Sequence, residues 1–352
     1  MNTRRSPLLV LGLALIAVWQ MALCSCVKEE VPTSDTPEGN FEALWRLMDS
    51  RYCFFDYKKE TLGVDWDEVH ERYRQRITPY MSRLQQFEVL SEMLGELRDG
   101  HVNLGASFDL GRSWHYREDY PDNFRADIVE EYLGKGDDYN IASALRYRIF
   151  DDNIGYIRCE SFSDPLGDGN ITAALSLLAT CNGLIIDVRD NGGGALTNAE
   201  LLASHFTNKR TLVGYTMHKT GKGHGAFSAP QPIYIKPASS VRWQKPVVVL
   251  TNRGCYSATN CFASYMKRFE QVTLLGDSTG GGGGMPFTQD LPSGWTVRYS
   301  AVVTLDAEHQ QIEFGVSPDI FVSLSDADAQ DKRDTLIEAA RQLLRSKASA
   351  VD

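Results

Sequence analysis

Cysteine is scarce in this 352-residue chain, and the seven present form no pattern. Cys24 and Cys26 lie close together near the start. Cys53, Cys159, Cys181, Cys255 and Cys261 are scattered, odd in number and without a Cys-x-x-Cys pair. Such a set excludes a disulfide framework, and no His/Cys spacing supports a zinc site, so no metal is expected. Positive charge is also in deficit. The 36 Lys and Arg against 46 Asp and Glu leave a net charge of −10. Phosphate neutralisation needs clustered cations, so no nucleic-acid partner is expected. Long apolar runs are missing except for one, Leu8 to Ala22. It is shorter than the roughly 20 residues of a bilayer span and is interrupted by Gln20. Gly-x-Ser-x-Gly, the phosphate loop with its Lys-Ser/Thr and Gly-x-Gly-x-x-Gly are all absent, which removes the α/β-hydrolase elbow and nucleotide-binding signatures. There is no internal repeat, and the only low-complexity piece is Gly280–Gly284.

What is there begins with a leader. Arg4 and Arg5, the apolar run and the small residues that follow have the layout of a secretory signal. The ending Leu23-Cys24-Ser25-Cys26 resembles a bacterial lipobox, which implies a signal over 1–25 and lipidation of Cys26. Val27 follows, without the Asp of inner-membrane retention, so an outer-membrane lipoprotein of the cell envelope is expected, its membrane contact made through the anchor. Residues 26–40 are charged, Pro-containing and aperiodic, and read as a tether.

From Phe41 to about Leu104 apolar residues recur at helical spacing: Phe41, Leu44, Trp45 and Met48; Trp66, Val69 and Tyr73; Phe87, Leu90, Met93, Leu94 and Leu97. Three helices are expected, with Asp65 and Ser82 as N-caps and the last helix running out at Asp99-Gly100-His101. The 105–150 stretch loses periodicity and reads as a connecting region. Across 151–345 short β-rich runs (Ile154–Cys159, Leu184–Val188, Val247–Thr251, Val272–Leu275, Trp295–Thr304) alternate with helical ones (Ala195–Phe206, Ala258–Phe269, Asp331–Leu344). That alternation indicates an α/β domain with a partly parallel sheet.

Four segments carry groups that can do chemistry. In Thr251–Ala258 an apolar strand gives way to a turn and then to Ser257, which opens a helix. A hydroxyl there sits among unpaired N–H groups, which suits a nucleophile, although on local pattern alone a simple N-cap is the ordinary reading. Asp187-Val188-Arg189-Asp190-Asn191-Gly192-Gly193-Gly194 follows a strand, and its glycines let backbone N–H groups approach a carbonyl, although a plain turn reads the same way. His101 is preceded by Asp99 and Gly100 at the end of a well-patterned element, where by itself it reads first as a helix-terminal cap and second as a base. Glu313 heads Glu313-Phe314-Gly315-Val316-Ser317-Pro318-Asp319, placed to orient an imidazole or merely to be solvated.

Together and in this order, these segments resemble the C-terminal-processing and tricorn-type serine peptidases. The residues that carry the resemblance are Leu97-Arg98-Asp99-Gly100-His101, Gly155–Phe162, Asp187–Gly194, Cys255–Thr259, Gly276–Gly280 and Glu313–Asp319. The resemblance implies a ClpP/crotonase-like α/β core with an N-terminal three-helix lobe. It also implies a serine-type endopeptidase acting on peptides or proteins without a cofactor. By it, Ser257 falls on the nucleophile, and the amides of Ala258 and of Gly193 or Gly194 fall on the oxyanion hole. The position of the processing peptidases' Lys base is Gly282 here, so a Ser-Lys dyad is excluded. His101 and Glu313 match the base and its carboxylate partner in the tricorn-like branch. The second Ser beside that His is Gly100 here, and the stretch from His101 to Ile154 is too short for a PDZ module. The alternative is a degenerate member that binds a ligand or peptide on the same fold.

Overall fold

The computed structural model describes residues 34–349; the expected leader, Cys26 and residues 26–33 of the expected tether lie outside them, and the tether's last four residues, 37–40, form the start of a helix instead. Four helices open the described chain: α1 (Pro37–Arg51), α2 (Phe55–Leu62), α3 (Trp66–Arg74) and α4 (Arg83–Gly95). Local chemistry sets their starts. The Thr36 side chain accepts from the Gly39 amide with Pro at the first turn, Asp65 caps α3, and Ser82 and Gln85 form a capping box on α4. Two expectations need correction. The lobe has four helices, because α2 is short and mostly polar and carries no apolar stripe for a periodicity reading to find. The fourth ends at Gly95, leaving His101 beyond it in a turn before the first strand.

The strands in chain order are β1 (Asn103–Gly105), β2 (Leu110–Arg112), β3 (Asn140–Ala142), β4 (Leu145–Ile149), β5 (Ile154–Cys159), β6 (Gly183–Asp187) and β7 (Thr211–His218). They continue with β8 (Gln231–Ile235), β9 (Val247–Thr251), β10 (Val272–Gly276), β11 (Gly284–Asp290), β12 (Thr296–Leu305) and β13 (Ile320–Phe321). The 105–150 stretch therefore holds strands too short to show a period.

One sheet runs β13-β10-β9-β6-β5-β4-β3, parallel from β13 to β5 and antiparallel beyond. Every residue of β5, β6 and β9 is buried, because helices cover both faces. Alternate residues point each way. Ile157, Ile186 and Val249 pack under the helices at 168–177, 196–204 and 258–266. Tyr156, Ile185 and Val248 pack under the terminal helix Thr335–Ser349. Each such aliphatic side chain contributes about 1.5–3 kcal/mol by its burial.

The second sheet is built on the long strand β12, which pairs with β1, β7 and β11. Val297, Tyr299, Val303 and Leu305 of β12 share a core with Phe41, Leu44, Phe87 and Leu90 of the lobe. The lobe is thus fastened to a late part of the chain. In the parallel sheet β6, β9 and β10 all end on one side, where Asp187 lies opposite Leu250 and Gly276 opposite Thr251. The loops that follow, 188–195, 252–257 and 277–283, converge there. That crevice beyond the carboxyl ends of parallel strands is where α/β sheets bind ligands.

Candidate active site

Ser257 sits between β9 and the helix Ala258–Met266 with φ 58° and ψ −120°. A non-glycine residue in that region costs about 1–3 kcal/mol and persists only where its surroundings enforce it. Its amide donates to the Gly281 carbonyl (2.9 Å), and Cys261 N donates to the Ser257 carbonyl (3.1 Å). The side chain makes no capping bond. Its Oγ instead lies 2.9 Å from His101 Nε2. A hydroxyl that only capped the helix would have turned toward the first amides, as Ser82 does.

His101 is 2% exposed. Burial lowers its pKa to about 4, with Asp99 opposing and Arg298 assisting. The neutral ring is therefore the stable form, with Nε2 able to accept from the Ser257 hydroxyl. Nδ1 is buried without a hydrogen bond of good geometry, and the Gly284 backbone near the ring acts to raise its pKa. Asp99 anchors the turn. It accepts from the His101 amide (2.8 Å), Ser300 Oγ (2.9 Å), Tyr52 Oη (3.1 Å) and Tyr256 Oη (3.4 Å). The Tyr256 ring also meets His101 edge-on, with centroids 5.0 Å apart.

Glu313 does not contact the imidazole, which corrects the expectation that it fixes the tautomer. Its Oε1 accepts from Lys58 Nζ at 2.8 Å, and Oε2 accepts from Gly283 N at 3.0 Å. Burial, then Asp99, push its carboxyl up to about 8 against the pull of Lys58. Its backbone carbonyl accepts from Gly282 N (3.0 Å). Glu313 thus grips the glycine run whose Gly281 carbonyl holds Ser257. A side chain on that run has no room: a Cβ at Gly282, where φ is 80°, would lie 2.6 Å from the Tyr256 ring. A Cβ at Gly100 would come within 2.9 Å of Tyr116 and Tyr256. Tyr116, from the 105–150 stretch, stacks on Tyr256 at 4.1 Å.

The glycine loop after β6 lies against the nucleophile. A Cβ on Gly193 would be 2.8 Å from that of Ser257 and 3.0 Å from Ala258 N. The Gly193 amide, however, is taken by Asn191 Oδ1 (2.9 Å). Gly194 N and Ala258 N carry no hydrogen bond among the described residues, which leaves them as the available donors. Asn191 ties the loop together. Its Oδ1 also accepts from Thr259 Oγ1 (2.7 Å), its Nδ2 donates to the Cys159 carbonyl (3.1 Å), and its carbonyl accepts from Tyr256 N (3.1 Å). Beneath it, the fully buried Arg189 donates to Asp187 at 2.6 and 2.9 Å and to Asp334 at 2.9 and 3.1 Å. Among the described residues no group of three or more His, Cys, Asp or Glu is placed to hold a metal ion.

Lys58, Asn191 and Tyr116 were not singled out from the sequence. Lys58 adjoins Lys59 in a polar helix, and nothing local marks which of the two is buried. Asn191 lay within a quoted motif, but its amide's partners are distant in sequence.

The Peptidase family S41 model matches residues 153–322, and that of the Tricorn protease C1 domain matches residues 34–95. A solved putative peptidase from Parabacteroides merdae ATCC 43184 is 47% identical with a TM-score of 0.84, covering 88% of this chain and 97% of that one. The carboxy-terminal processing protease CtpA of Bacillus subtilis (strain 168) is 28% identical over 179 residues, 50% of this chain and 36% of that protein. Mature CPAF, solved in complex with lactacystin, is 14% identical with a TM-score of 0.67 over 90% of this chain and 98% of that one, a likeness of fold. The chain spans less than half the length of the curated relatives it matches. The expected mixed α/β architecture with an N-terminal helical lobe is the one these structures share, and the chain belongs to peptidase family S41.

Proposed function

We propose that the protein is a serine endopeptidase of the cell envelope, with Ser257 as nucleophile and His101 as general base. The observation that carries this reading is Ser257 itself, strained, uncapped and bonded to a buried neutral imidazole. In the acylation step the Ser257 proton passes to His101 Nε2 while Oγ bonds to the scissile carbonyl carbon. The oxyanion is received by the Gly194 and Ala258 N–H groups, the second at a helix N-terminus where the dipole adds to its effect. The C–N bond then breaks, Nε2 returns the proton to the leaving amine, and water repeats the sequence on the acyl-enzyme. Asp99 is the carboxylate that steadies the imidazolium, acting through its charge and through the His101 amide, while Glu313 holds the glycine run. Envelope attachment rests on the Leu23–Cys26 sequence, and Cys26→Ala should release the protein from membranes and abolish incorporation of labelled palmitate.

A fluorophosphonate probe tests the chemistry. Labelling should map to Ser257 and be lost in His101→Ala. An unlabelled, folded wild-type protein would favour a degenerate, ligand-binding member of the family instead.

A further inference from the structure

Beside the nucleophile turn lies a cavity of about 240 Å³. Tyr256 and Gly280 join it to the Ser257 turn, Leu62 and Phe314 supply apolar wall, and Arg98 and Arg253 supply charge. Arg253 is 6% exposed. Its Nε donates to the Tyr116 carbonyl (2.7 Å), and its Nη1 donates to those of Thr279 (2.8 Å) and Phe314 (3.3 Å). Its plane lies over the Tyr120 ring, 3.8 Å from the centroid. All three of those acceptors are neutral, and no carboxylate among the described residues lies within ion-pair distance of the guanidinium. Nη2 bonds to no protein atom among them and is not sealed from solvent. Burial lowers the Arg253 pKa, with only Tyr120 and Asp277 acting against it.

The acids in the cavity wall do not restore the balance. Glu313 is bound to Lys58. Asp119 lies 4.0 Å from Arg98 and 3.6 Å from His115, so it is shared. A nearly buried guanidinium with a spare edge, a second one half-exposed across the same cavity, and apolar walls between them fit a carboxylate on a short aliphatic stem.

We propose that this cavity is a specificity pocket for a substrate carboxylate, gripped by Arg253 Nη2 and Arg98. The proposal rests on the peptidase reading above and names the substrate feature that site selects. Two sources offer this chemistry, an acidic side chain near the scissile bond and the free C-terminus of a peptide.

The test uses one peptide scaffold with Glu or Gln at each position flanking the cleaved bond, each made as free acid and as C-terminal amide. In the wild-type protein one Glu position, or the free acid, should raise kcat/KM about tenfold or more over its neutral counterpart, the scale of charge-assisted hydrogen bonds. Which arm responds identifies the source. Arg98→Gln should bring that ratio toward one. Arg253→Lys, which keeps the charge but loses the fork, should lower it as well, and Arg98→Gln alone decides the matter if the Arg253 variant does not fold. A wild-type ratio near one in every arm, or a ratio unchanged in Arg98→Gln, overturns the proposal. Absence of both cleavage and Ser257 labelling in the wild type would remove the peptidase reading itself, and the pocket assignment with it.

Discussion

Lys58 Nζ and Glu313 Oε1 lie 2.8 Å apart in the interior, although 255 positions separate them in sequence. The lysine comes from the helical lobe and the glutamate from a loop after β12, so one ion pair fastens the lobe to the glycine run beneath Ser257.

Removing Lys58 leaves the buried Glu313 carboxyl without its donor, and removing Glu313 leaves the Lys58 ammonium buried alone. Lys58→Met should destabilise the protein by about 3–5 kcal/mol, whereas Lys58→Met combined with Glu313→Leu should recover much of the loss. Urea unfolding of the two variants measures the difference. Equal destabilisation in both would show that the pair contributes no coupling.

The pH dependence follows from His101. Its pKa is lowered from 6.5 to about 4 by burial, so the base remains neutral until the medium is strongly acid. The acid limb of the Ser257 labelling rate should therefore lie near pH 4. Between pH 6.5 and 4 the unfolded chain binds the proton that the folded chain refuses. This contribution to stability is complete above pH 6.5 and declines as the pH falls through that window. An acid limb at 6.5 would mean that the imidazole is hydrated in solution.

Asn191 should matter to the rate more than to substrate binding. Asn191→Ala frees the Gly193 amide and unties the loop from Thr259 and Cys159. A fall in kcat of about 10²-fold or more with KM little changed is expected, the scale of a lost oxyanion donor. Steady-state kinetics on a peptide substrate separates the two constants. A change confined to KM would place Asn191 in binding instead.

Restoring a lysine on the glycine run should not create a Ser-Lys dyad. Gly282→Lys puts a Cβ against the Tyr256 ring at a φ of 80°, so loss of labelling and of thermal stability is expected. Gly282→Ala should show most of the same effect, because the obstacle is the first carbon. A Gly282→Lys protein with wild-type stability and labelling would contradict this packing.

The sequence displayed the parts of the site that are punctuation. Gly192-Gly193-Gly194, the strand-to-helix turn at Ser257 and the Asp-Gly-His ending are local patterns, and the structure brings Ser257, His101 and the glycine loop together. The parallel core was legible because β5, β6 and β9 are buried on both faces and read as mostly apolar runs, with Arg158 and the β6-terminal Asp187 their only charges. The second sheet was harder to see: β1 and β2 are three residues each, and β1, on which β2 pairs, is held by β12 some 190 positions later. The partner of Glu313 was hidden for the same reason. A carboxylate beyond the last long strand fits both an imidazole and an ammonium group by spacing alone, and only the docking of α2 decides between them.

The central claim is that the 2.9 Å contact between His101 Nε2 and Ser257 Oγ is a working base–nucleophile pair. The most direct measurement is kcat/KM for a peptide substrate in the wild-type protein, in His101→Ala and in Ser257→Ala, each checked for folding by circular dichroism. We expect a folded protein in every case and a loss of at least about 10⁴-fold in both variants, since members of such a unit fail together. Hydrolysis at the wild-type rate in folded His101→Ala would contradict it.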